Sequence, residues 1–148
     1  MALVHQTEFD ISFKHCDPAG IVFYPRYAEM INDIVEHWFK NGLTCDFATL
    51  HGPREIAIPA VKLDVEFKQP AHLGETLRAE LRVIRIGNSS MRMGVSLLGK
   101  GSSSDKGLKL VAQLTVVFVT MRDKQPVDIP PDLRRRAELF LDEPAPGA

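Results

Sequence analysis

The chain has 148 residues, 45% of them apolar, with 18 basic and 19 acidic side chains and a formal net charge of −1. That fits one globular domain with a real core and excludes a general attraction to nucleic acid or an anionic membrane. Two cysteines, Cys16 and Cys45, with no CxxC pair, exclude a disulfide framework. The opening lacks the basic and apolar regions of a secretory signal, and no apolar run reaches membrane-spanning length, so a cytoplasmic protein with reduced thiols is expected.

Residues 7–13 alternate, with Thr7, Phe9, Ile11 and Phe13 on one side and Glu8, Asp10 and Ser12 on the other, which predicts a half-buried strand. From Pro25 to Asn41 the period becomes helical. Ala28, Ile31, Ile34, Val35 and Trp38 recur at three- and four-residue steps, and Tyr27, Met30 and Phe39 widen the apolar face. Gly42 is the expected stop. Residues 43–57 read as irregular with one short helical turn. Three alternating runs follow: Val61 to Phe67, Leu77 to Val83, and Met91 to Leu97. Turns are expected at Pro70–Gly74, Gly87–Ser89 and Gly99–Gly107. The run from Leu108 to Met121 is apolar on both faces in its second half, as for a strand inside a sheet or at a subunit interface. A short amphipathic helix is expected after Pro131, built on Leu133, Ala137, Phe140 and Leu141. The single domain then spans residues 1–141, with a loose tail over 142–148. One long helix and strands joined by short connections make a two-layer α+β domain with an antiparallel sheet. An edge strand or the uncovered face of that sheet would find a partner subunit.

The most informative segment is His15-Cys16-Asp17-Pro18-Ala19-Gly20-Ile21-Val22-Phe23-Tyr24-Pro25. It sets one carboxylate in a Pro- and Gly-constrained loop ahead of the apolar helix. Pro25 suits a first helical turn. The free N–H groups and positive dipole end of a helix start favour an oxyanion. An acid beside such a helix end is suited to attack on a carbonyl.

The strand, the segment from Asp17 to Pro25 and the helix through Tyr27 resemble the hotdog-fold acyl-CoA thioesterases, and among them the 4-hydroxybenzoyl-CoA thioesterases of the Pseudomonas type. The resemblance implies a hotdog fold, one long helix wrapped by a five-stranded antiparallel sheet. It implies subunits that join sheets edge to edge into homodimers and then homotetramers, with sites at the dimer interface. It implies hydrolysis of a small aromatic or short-chain acyl-CoA thioester without metal or cofactor, coenzyme A being part of the substrate. By position, Asp17 matches the essential carboxylate, as nucleophile or general base, and the Tyr24 backbone N–H matches the donor that polarises the carbonyl. Gly20, Phe23, Tyr27, Ile31, Asn32, Ser90, Arg85 and Arg92 are the expected substrate-binding residues. The chain departs from the family pattern at Asn32, where the hydroxybenzoyl enzymes place an Asp that meets the ring hydroxyl. Pro25 stands where the related Tol-Pal-associated enzymes have a His. The turn Gly87-Asn88-Ser89-Ser90 lacks the basic cluster found near the CoA phosphates, for which Arg85, Arg92, Arg122 and Lys124 are the substitutes.

Other readings of the same residues are weaker. Asp17 before Pro18 is also an ordinary turn pair. His15 and Cys16 suggest a Cys–His nucleophile, but adjacent residues in extended chain point to opposite faces. His5, His15, His37, His51 and His72 show no metal-ligand spacing. Arg134-Arg135-Arg136 reads as the solvated face of a terminal helix, and Met91 and Met93 as core or as an adaptable acyl pocket. A non-catalytic acyl-CoA-binding protein would not need Asp17. A hotdog dehydratase needs a second proton-transfer group, and no His stands at the helix end.

Overall fold

A computed structural model of the chain describes residues 2–101 and 107–142. The tail expected past residue 142, and the centre of the turn expected over 99–107, lie outside the described residues.

The first strand, β1, covers His5–Asp10, and the long helix α1 covers Arg26–Asn41. A one-turn helix α2 (Phe47–His51) and a two-residue strand β2 (Ile56–Ala57) follow. The main strands are β3 (Ala60–Phe67), β4 (Thr76–Ile86), β5 (Ser90–Gly99) and β6 (Leu108–Val117). A short β7 (Val119–Thr120) and the helix α3 (Pro131–Glu138) complete the order. The main sheet is antiparallel in the order β1-β4-β5-β6-β3, and β2 pairs with β7 in a two-stranded ribbon.

Period-two patterning placed the sheet core correctly. Leu77, Ala79, Leu81 and Val83 are fully buried, as are Met91, Met93, Val95 and Leu97 opposite them. Both methionines are therefore core. The helix contributes Tyr27, Met30, Ile31, Ile34, Val35, Trp38 and Phe39 to the same core. The run expected from Leu108 to Met121 is split: its first part is β6, inside the sheet between β5 and β3, and its doubly apolar second half carries on into β7, which pairs with β2 instead. Leu133, Ala137 and Phe140 bury against the far end of α1, with the Trp38 and Phe140 rings edge to face at 5.5 Å.

Three expectations are corrected. The alternation of β1 ends early: Ile11 is buried, but Phe13 enters a 3-10 turn (Phe13–His15) and stands 83% exposed. On β3 only Val65 packs against the core, while Val61, Leu63 and Phe67 are 60%, 41% and 54% exposed. Leu63 and Phe67 pair with Leu114 and Leu110 on the sheet's inner face, but α1 packs over β4 and leaves this edge open. Arg134 is not simply solvated, because its guanidinium donates to the carbonyls of Gly87 and Asn88 and ties α3 to the β4–β5 turn.

Gly42 ends α1 by a different route from the one expected. It stays right-handed at φ −88°, with its N–H on the Trp38 carbonyl. A Cβ here would stand 2.6 Å from Trp38 Nε1 and 2.9 Å from the Trp38 carbonyl oxygen. The position demands absence of a side chain, not left-handed freedom. Gly42→Ala is therefore expected to destabilise the protein by about 1–3 kcal/mol through overpacking, although helix propensity alone favours Ala. The urea midpoint checks this, and an unchanged or higher midpoint would refute the packing argument.

A second tether joins β1 to α1. His5 Nε2 and His37 Nδ1 are 2.8 Å apart, a contact that requires one shared proton. Burial and then the neighbouring His37 hold the His5 imidazole below its usual range. A folded-state value below the unfolded one adds stability that is complete above about pH 6.5 and is lost as pH falls through the folded value. Urea midpoints on either side of that pH should therefore fall on acidification, and His5→Gln should flatten that limb. An equally steep limb in the variant would exclude His5 as its source.

Candidate active site at the loop before the long helix

The carboxylate loop is a small hairpin. Cys16 bridges Val22, the Asp17 N–H donates to the Ile21 carbonyl at 3.0 Å, and the Gly20 N–H returns to the Asp17 carbonyl at 3.0 Å. Gly20 sits at φ +81°, a left-handed conformation that favours glycine. The segment 71–73 forms its other side: Val22 N–H donates to Ala71 O, and Leu73 N–H to Gly20 O. Phe23 N–H then reaches back to His15 O at 2.9 Å. The loop is thus fixed on both flanks by backbone.

Asp17 is half-buried. Its Oδ1 accepts the Ala19 N–H at 2.8 Å, a turn that anchors one carboxylate oxygen. Its Oδ2 has no partner among the described residues, so one oxygen is held and the other is presented.

Only part of the helix end is open to a ligand. Arg26, Tyr27 and Ala28 donate their N–H groups to Phe23, Tyr24 and Pro25 in tight three-residue steps. Pro25 has no N–H. The Tyr24 N–H has no acceptor among the described residues, which leaves it as the donor at this junction.

Beside Tyr24 lies a groove of about 270 Å³ walled by Val22, Tyr27, Phe67 and Pro70. Tyr27 is buried beneath it, its Oη accepts the Ala71 N–H at 3.3 Å, and its ring tilts against Phe67 at 5.7 Å. Burial pushes the Tyr27 phenol up, so it keeps its proton. Phe23 and Tyr24 rings, edge to face at 5.6 Å, stay largely exposed at the rim. Ile31 lies in the core under this floor.

The remaining expected residues are elsewhere. Asn32 faces a second groove further along α1. Arg85, Arg92 and Ser90 sit at the opposite end of the sheet, where Arg85 pairs with Arg92 and Arg92 Nε donates to Thr115 Oγ1 at 3.3 Å. Nine strand steps separate Thr76, near the loop, from Arg85, about 30 Å of chain. One subunit does not bring them to Asp17.

The Cys–His reading fails on geometry. His15 Nδ1 accepts the Ser12 N–H at 2.9 Å, while the Cys16 thiol leans on Ser12 O at 3.6 Å. His72 donates its backbone N–H to Glu75 and sets its ring on the same carboxylate at 3.1 Å. Among the described residues no group of three His, Cys, Asp or Glu side chains is placed to hold a metal ion, and no helix is long and apolar enough to cross a membrane. A larger hollow of 520 Å³ lies between β1 and α1, where Glu8, Asp10 and Asp33 outnumber Lys14 beside the two imidazoles of His15 and His37, a poor balance for a polyphosphate ligand.

A helix packed on one face of an antiparallel sheet, with a constrained acid loop at the helix start, is the arrangement that the resemblance to the hotdog thioesterases implies. The Thioesterase-like superfamily profile matches residues 11–137, and the chain belongs to that superfamily. A 1,4-dihydroxy-2-naphthoyl-CoA hydrolase of Crocosphaera subtropica is 24% identical over 131 residues, 88% of this chain and 86% of that protein. The crystal structure of a 1,4-dihydroxy-2-naphthoyl-CoA thioesterase from Synechocystis superposes with a TM-score of 0.82 at 19% identity, covering 95% of this chain and 99% of the other. A gentisyl-coenzyme A thioesterase superposes with a TM-score of 0.77 at 20% identity, over 88% and 99% of the two chains.

Proposed function

We propose that this protein is a cytoplasmic acyl-CoA thioesterase that hydrolyses a small aromatic acyl-CoA to the free acid and CoA. The observation that carries the reading is the pairing, on one loop, of a carboxylate with a presented oxygen and a backbone N–H that has no acceptor among the described residues. The thioester carbonyl oxygen takes the Tyr24 N–H, which stabilises the charge that develops there. Asp17 then either attacks the carbonyl carbon, expelling CoA thiolate and leaving a mixed anhydride that water opens, or removes a proton from the attacking water. Both routes consume one water and need no metal or cofactor. The loop motif points toward the 4-hydroxybenzoyl-CoA group, while the named relatives act on dihydroxynaphthoyl and gentisyl thioesters. Aromatic acyl groups are common to all three. Free-thiol release from benzoyl, 4-hydroxybenzoyl, dihydroxynaphthoyl, phenylacetyl and short-chain CoA thioesters tests it. Turnover of the aryl members supports the assignment; binding without thiol release would make the protein a carrier instead.

The working unit in this reading is a homodimer through β3, assembled further into tetramers. Among the described residues β3 has an unpaired edge, and its Val61, Leu63 and Phe67 are exposed; a second copy is the natural cover for both. Antiparallel pairing of two β3 edges carries the far end of one sheet toward the loop of the other. Arg85, Arg92 and Ser90 would then serve the CoA of the neighbouring site. Leu63→Glu is expected to give a monomer by light scattering, with thiol release down at least about tenfold, the scale of a lost ionic contact to phosphate. A fully active monomer would remove the dimer from the proposal.

A further inference from the structure

Three short extended segments, 15–17, 21–23 and 71–73, lie side by side at the Asp17 loop, and their register decides which side chains share a face. Cys16 bridges Val22, the Asp17 N–H closes on the Ile21 carbonyl, and Ile21 bridges His72. Residues directly opposite each other in such a ladder point to one side. Cys16, Val22 and Ala71 make the inner row and pack on the core. Asp17, Ile21 and His72 make the outer row. Pair spacings of about 4.5–5.5 Å set the Cα atoms of Asp17 and His72 about 10 Å apart. Ile21, half-buried, is the floor between them. A carboxylate and an imidazole rising from the two ends of that row leave space for a small reacting group and one water.

The imidazole is set up as a base. His72 Nδ1 lies 3.1 Å from Glu75 Oε1, and a carboxylate only accepts, so Nδ1 carries the proton and Nε2 keeps its lone pair. Nε2 has no partner among the described residues. Glu75 is itself fixed. It takes the His72 backbone N–H at 2.7 Å and pairs with Lys109 Nζ at 3.2 Å, while Lys109 also reaches the Pro70 carbonyl at 3.3 Å. Burial acts to raise the Glu75 carboxyl, but these donors outweigh it and hold it below its usual range. Glu75 therefore stays charged beside the ring, steadies its tautomer and favours an imidazolium once one forms. The neighbouring Ala71 N–H goes to Tyr27 Oη, so one two-residue stretch is anchored both to the Tyr24 groove and to Glu75.

We infer that His72 is the base for the second half of the reaction, taking a proton from the water that opens the acyl–Asp17 anhydride. The inference rests on the thioesterase reading and selects its nucleophilic route, in which Asp17 is consumed and cannot itself serve as base. Departure of CoA needs no acid, because a thiolate leaves readily. Water does need a base. Its oxygen bonds to an anhydride carbonyl carbon while one proton passes to His72 Nε2. The C–O bond of the anhydride breaks, and its electron pair leaves on a carboxylate. The free acid, the Asp17 carboxylate and an imidazolium held against Glu75 result, and the imidazolium returns its proton to solvent.

The test compares rapid-quench thiol release with steady-state turnover in wild type and His72→Asn, on the fastest of benzoyl-, 4-hydroxybenzoyl- and dihydroxynaphthoyl-CoA. Asparagine keeps an N–H for Glu75 and removes the basic nitrogen, and the exposed His72 ring leaves folding independent of it. The variant should release about one thiol per active site at the wild-type rate and then turn over about 10²-fold more slowly. Hydroxylamine, which attacks without a base, should restore its turnover and yield the hydroxamate. Glu75 is a positioning residue. Glu75→Gln should slow the second phase alone, and the double variant should be no slower than His72→Asn, since the two act as a unit. Unchanged turnover in His72→Asn overturns the inference and leaves the thioesterase reading standing. A burst slowed as much as the later phase, or slow turnover with no burst, does the same, because His72 would then serve the first step or merely support the loop. No thiol release by wild type from any of these thioesters removes the thioesterase reading and the inference with it.

Discussion

Asp17→Asn is expected to lower thiol release at least about 10³-fold while fold and oligomeric state stay as they are, a loss in the upper range for removing an acid–base group. Asparagine keeps the size of the side chain and an amide oxygen. That oxygen can still accept the Ala19 N–H that Asp17 Oδ1 takes at 2.8 Å. The turn through Gly20, the bond from the Asp17 N–H to the Ile21 carbonyl and the bond from the Phe23 N–H to the His15 carbonyl should survive. What disappears is the negative charge on the presented oxygen, which both the nucleophilic and the general-base routes require. Asp17→Ala is a poorer experiment, since it also deletes the turn bond. The comparison is read from kcat for the best aryl-CoA, with circular dichroism and light scattering as controls. Activity within about tenfold of wild type would mean that Asp17 is a turn residue, and an ordinary role of Asp before Pro would be restored. Isotope-labelled water in a single turnover tests the nucleophilic route: label found in the Asp17 carboxylate requires a mixed anhydride opened at the Asp17 carbon.

The parts of this molecule legible in the sequence were those governed by local periodicity. Alternation in Leu77–Val83 and Met91–Leu97 exposed the sheet core, because one residue's neighbours two positions away share its face. The helical stripe from Tyr27 to Phe39 was equally plain. The motif around Asp17 was legible because its turn chemistry is sequence-local: Pro, Gly and a short-reach carboxylate all act within four residues. Register was not legible. Nothing in the spacing of Arg85, Ser90 and Arg92 says that they stand at the far end of the sheet from Asp17. Nor does local pattern say that α1 covers β4 and leaves Val61, Leu63 and Phe67 of β3 open. The loss of three helix-start donors to tight turns was invisible for the same reason, since it depends on how Phe23 is pinned to His15. The row of Asp17, Ile21 and His72 joins segments far apart in the sequence, and only the tertiary fold brings them together.

The largest stability effect is expected at Trp38, which has no exposed surface and packs edge to face on both Phe39 and Phe140 at 5.5 Å. It joins the long helix to α3, and Gly42 is kept free of a side chain to admit its indole. Trp38→Ala should cost about 3–5 kcal/mol through lost transfer energy and the cavity left behind. That is a large share of the roughly 5–15 kcal/mol available to a folded domain. Trp38→Phe should behave differently from its size alone. Among the described residues, Trp38 Nε1 is a buried donor without an acceptor, and a buried unpaired polar group costs about 1–3 kcal/mol. Phenylalanine leaves a smaller cavity than alanine and removes that orphan donor, so its net cost should lie near about 1 kcal/mol. Urea unfolding of the two variants at matched protein concentration decides the matter. A Phe variant that costs clearly more than about 1 kcal/mol while staying more stable than the Ala variant would show that the indole N–H is satisfied in solution and that the lost volume sets the cost.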